Sequence, residues 1–195
     1  MVDIYIEKAE GVWYGVAFED EKVYGTTFAS TEKNALRSLS ESVHRDVSGQ
    51  PQKPTQFAKH VIALLKDVYD GKNVDQNLTL KSERLSKYAM NVIDAVSKVP
   101  AGYVTSYGEV AKAVGGGPRA VGQIMARNPF EPVCPCHRVL RSDLTLGGYG
   151  GGLDVKLAFL KREKRGYKSE KEIVLNGKKL RVFPVELAIR KAEEG

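Results

Sequence analysis

A chain of 195 residues with 42% hydrophobic and 28% charged residues is globular in composition and long enough for one ordinary domain, or two small ones, around a real core. Its formal charge of +6 favours a polyanion without identifying one, and no stretch approaches the ~18 apolar residues of a membrane span. The two cysteines are too few for a zinc cage and too close in sequence for an ordinary structural bridge, and the acidic, alternating start is no signal peptide, so the chain reads as cytoplasmic.

In chain order, Val2, Ile4 and Ile6 predict a first strand, Val12, Tyr14, Val16 and Phe18 a second, and Val23 to Phe28 a third. Charged turns between them make this a small antiparallel meander. Thr31 can cap a helix carrying Ala35, Leu36, Leu39 and Val43; a second helix carries Phe57, Val61, Ile62, Leu64, Leu65 and Val68 and ends at Gly71. His44 and His60 fall on these helices with no cysteine nearby and read as surface or packing residues. The polar, turn-rich stretch from Gly71 to Asn77 predicts a boundary, giving an N-terminal α+β domain over residues 1–78.

Beyond it, Ser82 is expected to open a helix whose Leu85, Tyr88, Ala89, Val92, Ile93 and Val96 form one apolar stripe ended by Pro100. Ser106 and Glu109 have capping-box spacing, so a helix should begin at Tyr107 and bury Val110 with either Ala111 or Val114. Gly115, Gly116 and Gly117 break it, and Pro118 suits the first turn of another helix with Ala120, Val121, Ile124 and Met125 inward. That helix would show Arg119, Gln123, Ala126 and Arg127 outward, able to approach a phosphate backbone closely. The pattern fits a DNA-binding helix-turn-helix or an ordinary corner between two helices; it is too short to choose.

Both cysteines stand in Glu131-Pro-Val-Cys-Pro-Cys-His-Arg-Val-Leu140. A thiol attacks as thiolate, so Cys136 needs a base or a positive charge beside it, and His137 and Arg138 could supply both. Consecutive side chains of a strand face apart, but Pro135 favours a local bend that would let Cys136 and His137 meet. Cys134 is read as a small core residue. The tail, residues 167–195, is expected to form a hairpin around Asn176-Gly177 and a closing helix over Pro184 to Ala192. From Leu153 to Gly195 there are 12 Lys and Arg against 7 Asp and Glu, read as a solvated face before an extension of any nucleic-acid footprint.

Taken together, Val104-Thr-Ser-Tyr107-Gly-Glu-Val, Pro118-Arg-Ala-Val-Gly122, Arg127-Asn-Pro129, Pro135-Cys-His-Arg-Val139, Gly148-Tyr-Gly-Gly-Gly152 and Leu157 to Glu163 resemble the O6-alkylguanine-DNA alkyltransferases, also called methylated-DNA-protein-cysteine methyltransferases. The resemblance runs from about Ser82 to Gly166. It implies an α+β chain: a small RNase H-like N-terminal domain, a mostly helical, winged-helix-like DNA-binding and transfer domain over residues 79–166, and here the C-terminal extension. It also implies that an alkylated guanine swings out of duplex DNA and passes its alkyl group from O6 to Cys136. His137, through a water, would take the thiol proton and Glu163 would orient His137. Tyr107 would serve N3 of the departing guanine, Asn128 would hold the turn at the cysteine, and Val139 would offer backbone contacts to the base edge. Arg119 would fill the vacated stack, and the Tyr149, Gly150 and Gly151 loop would close over the base. Gly150 stands where many members have serine, so only its backbone N–H can serve there. Some members bind zinc in the N-terminal domain; with no cysteine in it here, no metal is expected.

Chemistry agrees with a single use. A thioether on sulfur resists water, so no second step regenerates the thiol, and the leaving guanine needs only a proton, neither metal nor organic cofactor. The implied partner is double-stranded DNA containing O6-alkylguanine, bound by a monomer with no membrane association. Alternatives are a lesion sensor without transfer, a helix-turn-helix regulator, and, more distantly, a cysteine hydrolase.

Overall fold

Apolar alternation near the start of the chain produces β1 (Asp3–Ala9), β2 (Val12–Glu19) and β3 (Lys22–Ala29), paired antiparallel in sequence order. The two-residue turns Glu10-Gly11 and Asp20-Glu21 have left-handed φ at both positions (52° and 84°, 48° and 57°), the geometry whose twist matches that of the flanking strands. This computed structural model describes residues 1–43, 53–75 and 77–194. β4 (Thr79–Leu80) adds a short parallel strand beside β3.

Helix α1 (Glu32–Ser42) begins after Thr31, whose hydroxyl accepts from the Asn34 N–H at 3.2 Å, and packs Ala35 and Leu39 against Val2, Ile4, Ile6 and Ala17. Gly15 makes that approach possible: a Cβ there would lie 2.7 Å from Leu39 Cδ1 and 2.9 Å from Ile6 Cγ2. Helix α2 (Gln56–Tyr69) covers the other face, with Tyr69 edge-on to Tyr14 and Phe57 against Phe18. His60 is exposed on α2, and His44 lies outside the described residues. The first of two compact units comprises the described residues of Met1–Tyr69, Val74–Ser86 and Pro129–Val133. Thr26 ties the last segment in, donating its N–H to the Pro129 carbonyl and its hydroxyl to that of Glu131, both at 2.9 Å.

The second unit takes Asp70–Asn73, Lys87–Asn128 and the described residues from Cys134 on. In order it holds α3 (Lys87–Ser97), β5 (Tyr103–Ser106), α4 (Tyr107–Val114), α5 (Pro118–Met125), β6 (Val139–Leu140), α6 (Leu153–Arg162), β7 (Lys171–Leu175), β8 (Lys178–Pro184) and α7 (Val185–Glu194). Helix α3 starts five residues later than Ser82 would have it. The Ser82 hydroxyl instead accepts from the Arg84 N–H at 3.2 Å, a local turn that competes with a helical start, and Leu85 precedes the helix. In α4, Val110 and Ala111 are buried and Val114 only partly so. The Ser106 hydroxyl caps the Glu109 N–H at 3.1 Å, but the reciprocal half of the box is missing because the Glu109 carboxylate pairs with Lys112 at 2.7 Å.

The tail is not an appendage. Its hairpin turns at Asn176-Gly177 (φ 49° and 79°), and the sheet runs β6-β5-β8-β7, so β8 lies beside β5, the strand that leads into α4. Helix α7 packs Val185, Ala188 and Ile189 against Val104, Leu140 and Leu160. Two of the tail's cations face carboxylates, Lys179 pairing with Glu172 at 2.7 Å and Arg181 with the buried Glu109 at 3.5 Å, while Lys161 of α6 pairs with Glu193 of α7 at 2.9 Å. The chain is α+β, with two four-stranded sheets and seven α-helices among the described residues.

Candidate active site

Pro135 (φ −79°, ψ 68°) turns the backbone into a single turn of 3-10 helix, Cys136–Arg138. With three residues per turn, successive side chains fan out about 120° apart rather than to opposite faces as on a strand. The turn is pinned from behind. The Cys134 carbonyl accepts from the Cys136 N–H at 2.8 Å and from Asn128 Nδ2 at 2.9 Å, while the buried Cys134 thiol points to the Ile93 carbonyl at 3.8 Å.

His137 is fully buried and stacks on Phe159, ring centroids 4.4 Å apart. Its Nε2 lies 2.8 Å from Glu163 Oε1. An ionised carboxylate only accepts, so Nε2 carries the hydrogen and Nδ1 keeps its lone pair; Nδ1 is buried with no hydrogen-bond partner among the described residues. Burial pushes the imidazole pKa down and Glu163 only partly restores it, so at neutral pH His137 is an uncharged base.

Glu163 sits at the C-cap of α6, also fully buried. Arg138 holds it: Nε lies 3.0 Å from both carboxylate oxygens, Nη2 is 2.7 Å from Oε1, and Nη1 donates to the Val99 carbonyl at 2.5 Å. The side chain expected as a positive charge beside the thiol is thus engaged by this carboxylate. A planar guanidinium matches a carboxylate fork, and the carboxylate is what it meets. Burial alone would raise the Glu163 pKa, but His137 and Arg138 hold it down at about 2; with His137 neutral, Arg138 supplies the compensating charge.

A folded-state value below the ordinary one means that Glu163 stabilises the fold at pH above about 4.5 and that this stability is lost as pH falls toward 2, a swing on the order of 3 kcal/mol. The expected result is a carboxylate NMR titration of Glu163 with its midpoint near 2 and a urea midpoint that drops through the same window. Titration at the ordinary glutamate value would contradict this geometry.

Tyr107 opens α4 half-buried, its ring 3.9 Å from where a Cβ on Gly122 of α5 would stand. Its pKa is raised, by burial first and then by the negative charge that Cys136 can carry, while Arg141 acts to lower it. Burial brings the Lys156 pKa down to about 8, against which a negative charge on Cys136 would help to keep the lysine protonated. The Cys136 sulfur is thus within Coulombic reach of both. Lys156 is fully buried on α6, donating to the carbonyls of Val139 at 2.7 Å, Leu146 at 2.6 Å and Gly148 at 3.3 Å. The sequence pattern singled out neither this lysine nor the Arg138–Glu163 pair. The available signal was a lysine at apolar helical spacing, three and four residues before the buried Phe159 and Leu160.

Val139 is buried, its N–H bonded to the Cys136 carbonyl and one carbonyl lone pair taken by Lys156. Tyr149, Gly150 and Gly151 form the turn into α6; the Tyr149 ring lies 6.0 Å from Lys156 Nζ, and both glycines are exposed. Arg119, Gln123, Ala126 and Arg127 make a separate exposed group along and just past α5, opposite the buried Val121 and Met125, while Ala120 and Ile124 are only partly buried. Among the described residues no group of His, Cys, Asp or Glu is placed to hold a metal ion, and no helix is long and apolar enough to cross a membrane.

The profile of the 6-O-methylguanine DNA methyltransferase DNA-binding domain matches residues 87–165. The methylated-DNA-protein-cysteine methyltransferase of Methanothermobacter thermautotrophicus is 40% identical over 111 residues, 56% of this chain and 63% of that relative, so the match spans less than two thirds of its length. That of Methanocaldococcus jannaschii is 30% identical over 159 residues, 82% of this chain and 92% of the relative. The crystal structure of O6-methylguanine-DNA methyltransferase from Pyrococcus kodakaraensis is similar with a TM-score of 0.61 and 28% identity, covering 84% of this chain and 99% of that one.

Proposed function

The chain belongs to the methylated-DNA-protein-cysteine methyltransferase family, and from that premise we propose that it repairs O6-alkylguanine in double-stranded DNA by one irreversible transfer of the alkyl group to Cys136. The observation that carries this reading is the buried line that starts one residue after the cysteine, His137 Nε2 to Glu163 Oε1 at 2.8 Å with Arg138 gripping the same carboxylate. It leaves His137 Nδ1 basic, ready to take the Cys136 thiol proton through one water. The sulfur electron pair then forms the bond to the alkyl carbon, and the carbon–O6 bond breaks. Its electrons return to the guanine ring, where N3 takes a proton from the Tyr107 hydroxyl. The products are guanine and S-alkylcysteine, and nothing in this chemistry removes the alkyl group again.

Base eversion brings the lesion to the cysteine. Exposed Arg119 enters the gap in the stack while Gln123, Ala126 and Arg127 lie along the backbone; the Tyr149-Gly150-Gly151 turn closes over the base, and the second lone pair of the Val139 carbonyl meets its edge. Asn128 positions the cysteine turn through the Cys134 carbonyl. The first unit, a meander with helices on both faces, is read as RNase H-like, and α4 and α5 with the hairpin as winged-helix-like. The protein acts as a cytoplasmic monomer.

The test is stoichiometry. With duplex DNA carrying one O6-methylguanine in excess, restored guanine should saturate at one per chain; continued turnover, or none, would overturn the proposal. Arg119→Ala should slow repair of duplex DNA about tenfold or more beyond any change with free O6-benzylguanine, since only the duplex has a stack to fill. Equal loss on both would contradict the role given to Arg119.

A further inference from the structure

Arg141 follows β6 directly and is exposed, and its guanidinium has no hydrogen-bond or ion-pair partner among the described residues. A tight loop fixes where it leaves the backbone: its N–H donates to the Thr145 carbonyl and its own carbonyl accepts from the Leu144 N–H, both at 3.0 Å. Its neighbour across the loop is the phenol of the site. A Cβ on Gly147 would stand 3.4 Å from Arg141 Cγ, 3.4 Å from Tyr107 Cε2 and 3.5 Å from Tyr107 Oη, so only a glycine separates the arginine stem from the tyrosine hydroxyl. Arg141 also counters the rise of the Tyr107 pKa, which places its charge within reach of that hydroxyl. Arg141 and Gly147 also line a cavity of about 330 Å³ with Lys191 and Asp154, whose charged side chains are two cations to one anion.

The chemistry of the purine says what belongs there. N3 is on the sugar edge of guanine, separated by one ring carbon from the nitrogen that bears the sugar. If the Tyr107 hydroxyl serves N3, a group just outside that hydroxyl meets the sugar and its phosphates, not the O6 edge. An unpaired guanidinium is suited to a phosphodiester, which it can bind through two parallel N–H bonds.

We propose that Arg141 grips a phosphodiester flanking the everted nucleotide and so holds the lesion against Tyr107. This rests on the alkyl-transfer reading above and adds to it a backbone contact at the pocket mouth, apart from the exposed face of α5. The test is a cycle between protein and DNA, using the full chain and lesion duplexes in which the phosphate on either side of O6-methylguanine is replaced by an uncharged methylphosphonate. For the wild type, one of the two replacements should weaken Kd and slow transfer about tenfold, the size of one charge-assisted contact. Arg141→Gln should already have lost that factor and be indifferent to the same replacement, with its log–log salt slope shallower by about 0.9. Arg141→Lys should recover most of the affinity. If Arg141→Gln responds to both replacements as strongly as the wild type, the proposal is overturned. Absence of transfer in the wild type would overturn the alkyl-transfer reading instead, and the Kd cycle would still decide the arginine's role.

Discussion

Cys136→Ser should abolish transfer, by about 10⁴-fold or more, while the protein still binds duplex DNA containing O6-methylguanine. A serine hydroxyl is far less acidic than a thiol and, with neutral His137 as its only base, supplies almost no oxyanion at neutral pH. The change is close in volume, and Cys136 is only 5% exposed, so packing around the 3-10 turn should survive. Binding measured by fluorescence anisotropy and transfer measured by restored guanine separate the two functions. Residual transfer in this variant within about tenfold of the wild type would remove Cys136 from the role assigned to it.

Glu163→Gln should do two kinds of damage. It leaves the Arg138 guanidinium, almost wholly buried, without its counter-charge, and breaking such a pair costs about 3–5 kcal/mol. It also removes the anion that orients His137 and would balance its charge once protonated; loss of the equivalent group in a comparable triad costs about 10⁴ in rate. The double change Arg138→Met with Glu163→Gln distinguishes these effects. With both charges gone, much of the lost stability should return in urea denaturation, because no unpaired ion remains. Transfer should stay low, since His137 still lacks its carboxylate. Recovery of transfer together with stability would show that Glu163 matters only through the fold.

Much of this architecture was legible in the chain because its signals are local. Alternating apolar residues marked the three strands, Thr31 and Ser106 marked two helix starts, and the glycine run with Pro118 marked the break between α4 and α5. The outward placement of Arg119, Gln123, Ala126 and Arg127 likewise follows from helical periodicity alone. What depends on distant residues was not legible. Ser82 is an equally good turn former and helix cap, and the choice between them is made by its bond to Arg84. Arg138 follows Cys136 and His137 directly in sequence, yet the carboxylate it binds is 25 residues away at the end of α6, a partner that proximity along the chain does not reveal. The hairpin was visible from Asn176-Gly177, but its place beside β5 is a long-range pairing that no local signal specifies.

In the proposed reaction one sulfur accepts the alkyl group and keeps it. Intact-mass measurement after mixing the protein with excess O6-methylguanine duplex, followed by peptide mapping, tests it most directly. The result expected is one added methyl per chain, carried by Cys136, with Cys134 untouched and no loss of the label on standing. An unmodified mass, or methyl found on another residue, would contradict it.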